Sequence, residues 1–167
     1  IIIKTKNMNY QTTVSVDEKS KETKAKKEIK VYDQKPTSSF IGASWSALLI
    51  GMTSYCIGLW NADMMLNEKG YYFTILLFGL FSVISVQKAV RDKMEETAIT
   101  DIYYSISWFT TITSIVLLVI GLWNADLLLS EKGFYGMSFL LSLFAAIAVQ
   151  KNTRDIQYID RNINKDN

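Results

Sequence analysis

Four stretches of the chain hold no charged residue: 37–62, 70–87, 102–125 and 133–150. Each has at least 18 residues, about the number a helix needs to cross a hydrocarbon core of ~30 Å at ~1.5 Å per residue. A helix of a soluble bundle shows one apolar stripe and a charged opposite face. The run from Thr113 to Trp123 has no such face. A helix satisfies its own backbone hydrogen bonds in a solvent that offers none, so bilayer-spanning helices are the better account. The pattern predicts an all-α integral membrane protein with four spans, near 39–61, 70–88, 102–124 and 133–151.

The chain also says one long phrase twice. Gly58-Leu59-Trp60-Asn61-Ala62-Asp63 returns as Gly121-Leu122-Trp123-Asn124-Ala125-Asp126, always 63 residues on. Glu68-Lys69-Gly70 returns as Glu131-Lys132-Gly133, and Val86-Gln87-Lys88 with Arg91-Asp92 returns as Val149-Gln150-Lys151 with Arg154-Asp155. Aligning 58–92 on 121–155 gives 20 identities in 35 positions. One supersecondary unit is therefore built twice. The short links around Asp63–Lys69 and Asp126–Lys132 force antiparallel neighbours, so each unit is expected to be a helical hairpin. The expected segments are a tail at 1–36, repeats at 37–92 and 100–155, and a short tail at 156–167.

Charge sets an expected orientation. Residues 1–36 hold nine lysines against five acids, and Asp17 to Lys30 is almost wholly charged or small. Such a segment has too little apolar surface to fold alone and is expected to be a disordered tail. The tail, the link with Lys88, Arg91 and Lys93, and the C-terminal segment together hold sixteen of the eighteen basic residues; each tip holds one, Lys69 or Lys132. The positive-inside rule then puts both termini in the cytoplasm and both tips in the periplasm. An even number of spans per repeat implies a pseudo-two-fold axis along the membrane normal. The first residues show no secretory signal pattern, and Met8 is one candidate start.

Small residues supply a packing seam. Ser44, Ala47, Gly51, Ser54 and Gly58 alternate spacings of three and four, which places them on one helical face. The third span answers with Ser107, Thr110, Ser114, Leu117 and Gly121; the second and fourth answer with Gly79, Ser82, Ser85 and Ser142, Ala145, Ala148. Lipid tails are as apolar as leucine, so membrane helices associate by close packing and hydrogen bonds, which small faces permit.

Two motifs lie at the ends. At the tips, Trp60, Tyr71, Tyr72, Trp123, Phe134 and Tyr135 suit the headgroup level. Asn61 and Asn124 end the outgoing helices, Asp63 and Asp126 cap a short turn, and Gly70 and Gly133 supply a positive φ. The functional alternative gathers Asp63, Glu68, Asp126 and Glu131, with Lys69 and Lys132 beside them, to hold a hard cation or polar ligand. At the other end, Lys88, Arg91, Lys151 and Arg154 anchor the helices. Asp92 and Asp155 pair with the lysines four residues before them, and Gln87 and Gln150 hydrogen-bond across helices.

Little here is catalytic equipment. The chain has no histidine, and Cys56 is its single cysteine, so the usual general base and any intramolecular disulfide are excluded. No nucleophile–base constellation stands out, and no catalytic residue, metal site or cofactor is expected.

The repeated Gly-Leu-Trp-Asn-Ala-Asp, Glu-Lys-Gly, Val-Gln-Lys and Arg-Asp phrases resemble the YiaA/YiaB two-helix domain of bacterial inner-membrane proteins, over roughly 38–157. The resemblance implies a small multi-pass inner-membrane protein and brings no activity, substrate or catalytic residue. The expected role is structural or accessory, with self-association or another membrane protein as partner. The alternative is a small channel or transporter along hydroxyl faces such as Ser107, Thr110, Thr111 and Ser114. The bilayer is the expected environment, nucleic acid is not an expected partner, and a small-molecule ligand is left open.

Overall fold

The computed structural model describes residues 36–95 and 97–166, with side chains to Arg161. The expectation of a disordered tail over 1–36 falls almost wholly outside them. All regular structure among the described residues is helical: α1 (Ser38–Asn61), α2 (Leu66–Met94), α3 (Asp101–Asn124) and α4 (Leu129–Asp166). Each helix is long and apolar enough to cross a membrane. The shortest, with 24 residues, rise roughly 36 Å at ~1.5 Å per residue. Residues 37–152 form one compact unit. Within the other, residues 153–166 are helical, so the segment expected as a short tail is helix as far as Asp166.

α1 and α3 begin and end within a residue of expectation, whereas α2 and α4 start four residues early. The reason is at position N3. The Glu68 carboxylate accepts the N–H of Met65 at 2.8 Å, and Glu131 does the same for Leu128 at 2.8 Å. An acid that satisfies an orphan donor in the first turn also meets the positive end of the helix dipole. The helix is thereby nucleated upstream of the charge-free run. Gly70 and Gly133 consequently lie inside helices with open space around them, and neither supplies the expected positive φ.

The main surprise is which helices pair. α1 and α2 of one repeat meet only sparingly, while α2 and α3, from different repeats, form an extensive contact. α1 in turn packs on α4. A Cβ on Gly51 would lie 2.7 Å from Ser142 Oγ, and one on Gly58 would lie 2.7 Å from the Phe134 ring and 3.4 Å from that of Tyr135. The contact is reciprocal. A Cβ on Gly121, the counterpart of Gly58, would lie 2.7 Å from Tyr71 and 3.2 Å from Tyr72, the counterparts of Phe134 and Tyr135. Residue i of one repeat thus touches residue j of the other, and j touches i, as in a two-fold homodimer. The chain is a pseudo-dimer of repeats that embrace one another.

Most of the predicted seam faces this interface. Ser44, Gly51, Gly79, Ser82, Ser85, Ser107, Ser114, Ser142 and Ala145 are all buried. The middle of the bundle is solid. Tyr55 and Phe139 are fully buried, with Leu76, Tyr72, Tyr135, Leu118 and Leu143 around them. The rings of Tyr72 and Tyr135 stack across the pseudo-axis at 6.2 Å and 18°. These two tyrosines were expected at the headgroups and instead lie in the core, because each ring fills the space that a glycine leaves on the opposite repeat. Large apolar side chains such as Leu49, Ile50, Phe81, Phe109 and Phe144 point outward, as helices in lipid require.

Polar clasps tie the helices. Tyr55 Oη donates to the Tyr72 carbonyl at 3.1 Å, linking α1 to α2. Tyr71 Oη donates to the Leu117 carbonyl at 2.8 Å, linking α2 to α3. Asn152 Nδ2 donates to Ser44 Oγ at 3.1 Å, linking α4 to α1. Interhelical bonds of this kind contribute ~0.6–2 kcal/mol each in a bilayer.

Candidate functional site

The repeated tip motif resolves into separate jobs. Asn61 Nδ2 donates to the Ile57 carbonyl at 2.9 Å and Asn124 Nδ2 to that of Ile120 at 2.8 Å. Each asparagine thus adds a side-chain bond to a carbonyl one turn back in its own helix. Lys69 Nζ donates to the Trp60 carbonyl at 3.0 Å, and Lys132 Nζ reaches that of Trp123 at 3.5 Å. A cation at a helix C-terminus meets the negative end of the dipole. Glu68 and Glu131 hold the starts of the incoming helices, as described. Trp60 and Trp123 are each 83% exposed, consistent with rings set at a membrane interface.

Asp63 and Asp126 are the exception. Neither caps a helix: the N-cap of α2 is Met65, and its N–H is taken by Glu68. Among the described residues neither carboxylate has a hydrogen bond or an ion pair. The expected capping role is therefore overturned, because the carboxylate at N3 already satisfies the donor that an aspartate cap would take.

Both aspartates instead line one cavity of about 350 Å³ at the tip end of the bundle. Asn67, Glu68, Tyr71 and Tyr72 of repeat 1 and Gly121 and Asn124 of repeat 2 share its wall. The two tips meet there because α2 and α3 pair across repeats. Glu131 is absent from the wall, and no three His, Cys, Asp or Glu residues among those described are grouped to hold a metal ion. The four acids expected together are thus divided between a cavity and a helix start.

One wall group stands out. Tyr72 is only 4% exposed. Its backbone carbonyl takes the Tyr55 hydroxyl, but its own hydroxyl has no hydrogen bond among the described residues. That hydroxyl lies 3.2 Å from where a Gly121 Cβ would stand, so the glycine opens the wall beside it. Neighbouring Tyr71, by contrast, spends its hydroxyl on Leu117.

The opposite end departs from expectation in two ways. Asp92 accepts from Arg91, with Nη2 at 2.8 Å, and Lys88 stays exposed, so the predicted pairing of Lys88 with Asp92 is not made. Adjacent Arg91 delivers a planar fork that an ammonium four residues away does not match. Gln87 and Gln150 keep buried side-chain oxygens without a partner among the described residues, so the expected cross-helix bonds through these oxygens are also absent. Lys151 is exposed, and Arg154 and Asp155 are half-buried. The cross-helix amide is Asn152, which sequence reasoning missed because its counterpart in the first repeat is Ala89.

The hydroxyls of the expected pathway bond to their own helix. Ser107, Thr110, Thr111 and Ser114 all donate to carbonyls three or four residues back in α3, at 2.8–3.0 Å.

The yiaA/B two helix domain model matches the chain twice, at residues 40–92 and 103–155. The chain is 57% identical to "Inner membrane protein YiaA" of Escherichia coli (strain K12) over 126 residues, 75% of this chain and 86% of that protein. It is 35% identical over 69 residues to "Uncharacterized membrane protein YubF" of Bacillus subtilis (strain 168), covering 41% of this chain and 79% of that one. It is 28% identical over 96 residues to "Inner membrane protein YiaB" of Escherichia coli (strain K12), covering 58% and 81%. No solved structure shows significant similarity to the chain.

Proposed function

The chain belongs to the yiaA/B two helix domain family, and from that premise we propose that it is a non-catalytic accessory protein of the inner membrane, acting by association with itself or with another membrane protein. Two Escherichia coli relatives are named as inner membrane proteins, and the four apolar helices make this chain a multi-pass membrane protein. The observation that carries the reading is the solid centre of the bundle. Tyr55, Tyr72, Leu76 and Phe139 fill it, and Ser107, Thr111 and Ser114 of the alternative pathway are buried among the packed helices.

The proposed orientation keeps both termini in the cytoplasm and the tips outside, following the lysine and arginine asymmetry. Met65→Cys in a Cys56→Ser background should react with an impermeant maleimide added from outside; labelling from the cytoplasmic side alone would reverse it. The role itself is tested by purifying tagged protein in mild detergent, identifying what accompanies it, and reconstituting it in liposomes. Association without solute flux is expected. A flux abolished by Thr110→Val with Ser114→Ala would replace this reading with a channel or transporter.

A further inference from the structure

We propose that the groove between α1 and α2 at the tip end holds a membrane phospholipid, with its phosphate on Lys69 and an acyl chain laid along the two helices. The inference goes beyond the accessory role and does not depend on it. α1 and α2 are joined by a short turn, yet they meet only sparingly. Near the tip they are parted by a groove of about 440 Å³, walled by Cys56, Trp60, Leu66, Gly70 and Phe73 together with Lys69. Nothing lies within 4 Å of where a Cβ on Gly70 would stand, so the groove is open there. Trp60, Leu66 and Phe73 are exposed on its flanks. Both helices are long and apolar enough to cross a membrane, so the groove opens towards lipid rather than bulk water.

Charge chooses the occupant. Lys69 is the only charged residue on the groove wall. An ammonium has three N–H donors, and the Trp60 carbonyl takes one of them at 3.0 Å. Two remain to meet an anion, and bonds between ionised partners are about twice as strong as neutral ones. The acids of the same tip lie elsewhere. Glu68 is committed to the Met65 N–H at 2.8 Å, and Asp63 and Glu68 line the separate cavity shared with repeat 2. Depth sorts the groove in the order a lipid requires. Lys69 sits beside the exposed Trp60, a residue type favoured at headgroup level. Cys56 and Phe73 lie about one and two turns further from the tip and offer only apolar surface. A cation at the mouth with hydrocarbon below fits an anionic head on a long apolar chain, and basic pockets between membrane helices take lipid headgroups in this way. The volume lies within the ~300–1,000 Å³ of sites that hold organic ligands. Among molecules of this chemistry, the phospholipid is the one the bilayer itself supplies.

The test uses the full chain in mild detergent, titrated with dioleoyl phosphatidylglycerol and read by native mass spectrometry. Saturable retention of the lipid is expected, with dioleoylglycerol, which lacks the phosphate, retained far less. Lys69→Gln should weaken retention about fivefold, the amount one basic residue contributes at a membrane surface. Gly70→Leu fills the open floor of the groove without meeting a neighbour at its Cβ and should weaken retention about tenfold. Gly42→Leu also enters open space, but at the far end of α1, and should leave retention unchanged. Circular dichroism and thermal unfolding of each variant separate lost binding from lost fold. Leucine is a better helix former than glycine, so Gly70→Leu keeps the test decisive even where Lys69→Gln loosens the tip. The proposal is overturned if Lys69→Gln and Gly70→Leu retain the lipid as the parent does, if dioleoylglycerol is retained equally, or if oleate displaces the phospholipid at equal concentration, which would make a free fatty acid the occupant.

Discussion

The embrace between repeats makes a sharp forecast at Gly51. An alanine there would put its Cβ 2.7 Å from Ser142 Oγ, 3.0 Å from Ser142 N and 3.3 Å from the Ser138 carbonyl. Comfortable separations between non-bonded atoms are ~3.5–4.0 Å for carbon. The serine hydroxyl can rotate away, but the other two atoms belong to the α4 backbone, so the helices themselves must part. Overpacking of this sort costs about 1–3 kcal/mol, and backbone contacts place it in the upper half. Replacing glycine by alanine in a helix returns about 1 kcal/mol, leaving a net loss of about 1–2 kcal/mol. For a chain of this size that lowers Tm by roughly 2–8 °C.

The internal controls are Gly42→Ala and Gly133→Ala, where nothing lies within 4 Å of the added carbon. They collect only the propensity gain and should match or exceed the parent. A second step probes the pairing. Gly51 and Ser142 correspond, 63 residues away, to Ser114 and Gly79. Gly51→Ser with Ser142→Gly therefore gives this helix pair the residue types of the corresponding positions in α3 and α2, removes the Oγ that lies nearest the added atoms, and should recover most of the loss from Gly51→Ser alone. Gly51→Ser with Ser114→Gly restores the same composition at the wrong place and should not. Thermal unfolding in detergent, followed by tryptophan emission, reads all of these. Equal Tm values for Gly51→Ala and Gly133→Ala, or equal rescue by the two second-site changes, would refute the α1–α4 contact.

Other substitutions read single bonds. Tyr55→Phe removes the fully buried link to the Tyr72 carbonyl and should lower unfolding free energy by about 1 kcal/mol, measured by the same unfolding assay. Glu68→Ala and Glu131→Ala each lose a helix-start bond worth ~0.5–2 kcal/mol; their effects should agree closely, since the two bonds have the same length. Asn152→Ala breaks the α4–α1 clasp and should cost about 1 kcal/mol, because Ser44 Oγ keeps its own bond to the Phe40 carbonyl.

The spans, the hairpin order and most buried small positions were legible in the chain, since charge-free length and residue size report directly on bilayer crossing and close approach. Pairing was not. An internal repeat states that two faces are alike, but does not say whether a small face turns to the helix beside it in sequence or to the other copy. Gly58 and Gly121 carry no mark of their partners; only the reciprocal seating of Tyr135 and Tyr72 rings reveals them. Tyrosine depth was misread for a related reason. Interface tyrosines and core tyrosines adjoin each other at 71 and 72, and one residue of helix rotation separates lipid from core. The glutamate starts of α2 and α4 were readable in principle, because an acid three residues past a turn is a helix-entry signal. The tempting Asp63 and Asp126, closer to the helix just ended, drew the assignment away. Asn152 left no trace in the repeat because it occurs in only one copy.

The asymmetries between the repeats then take on a meaning that their identities do not have. At the α1–α4 contact the first helix contributes Gly51 and the second Ser142; the corresponding residues of α3 and α2 are Ser114 and Gly79, the reverse order in the sequence. Were repeat 1 paired with its own copy, Gly51 would face Gly79 and leave a gap at the helix contact. Were repeat 2 paired with its own copy, Ser114 would face Ser142, which is the overpacking forecast for Gly51→Ser. Both alternatives are poorer than the pairing observed, since gaps and overpacking each cost free energy. Once joined in one chain, the two copies are free to drift apart in this compensating way, because neither must still fit itself. The same argument applies at Leu76 and its counterpart Phe139, which differ in size at the centre of the core while the total space is filled. Specificity for the other repeat is thus written into the positions where the repeats differ, and the shared phrase at the tips is left to do what both copies need in common.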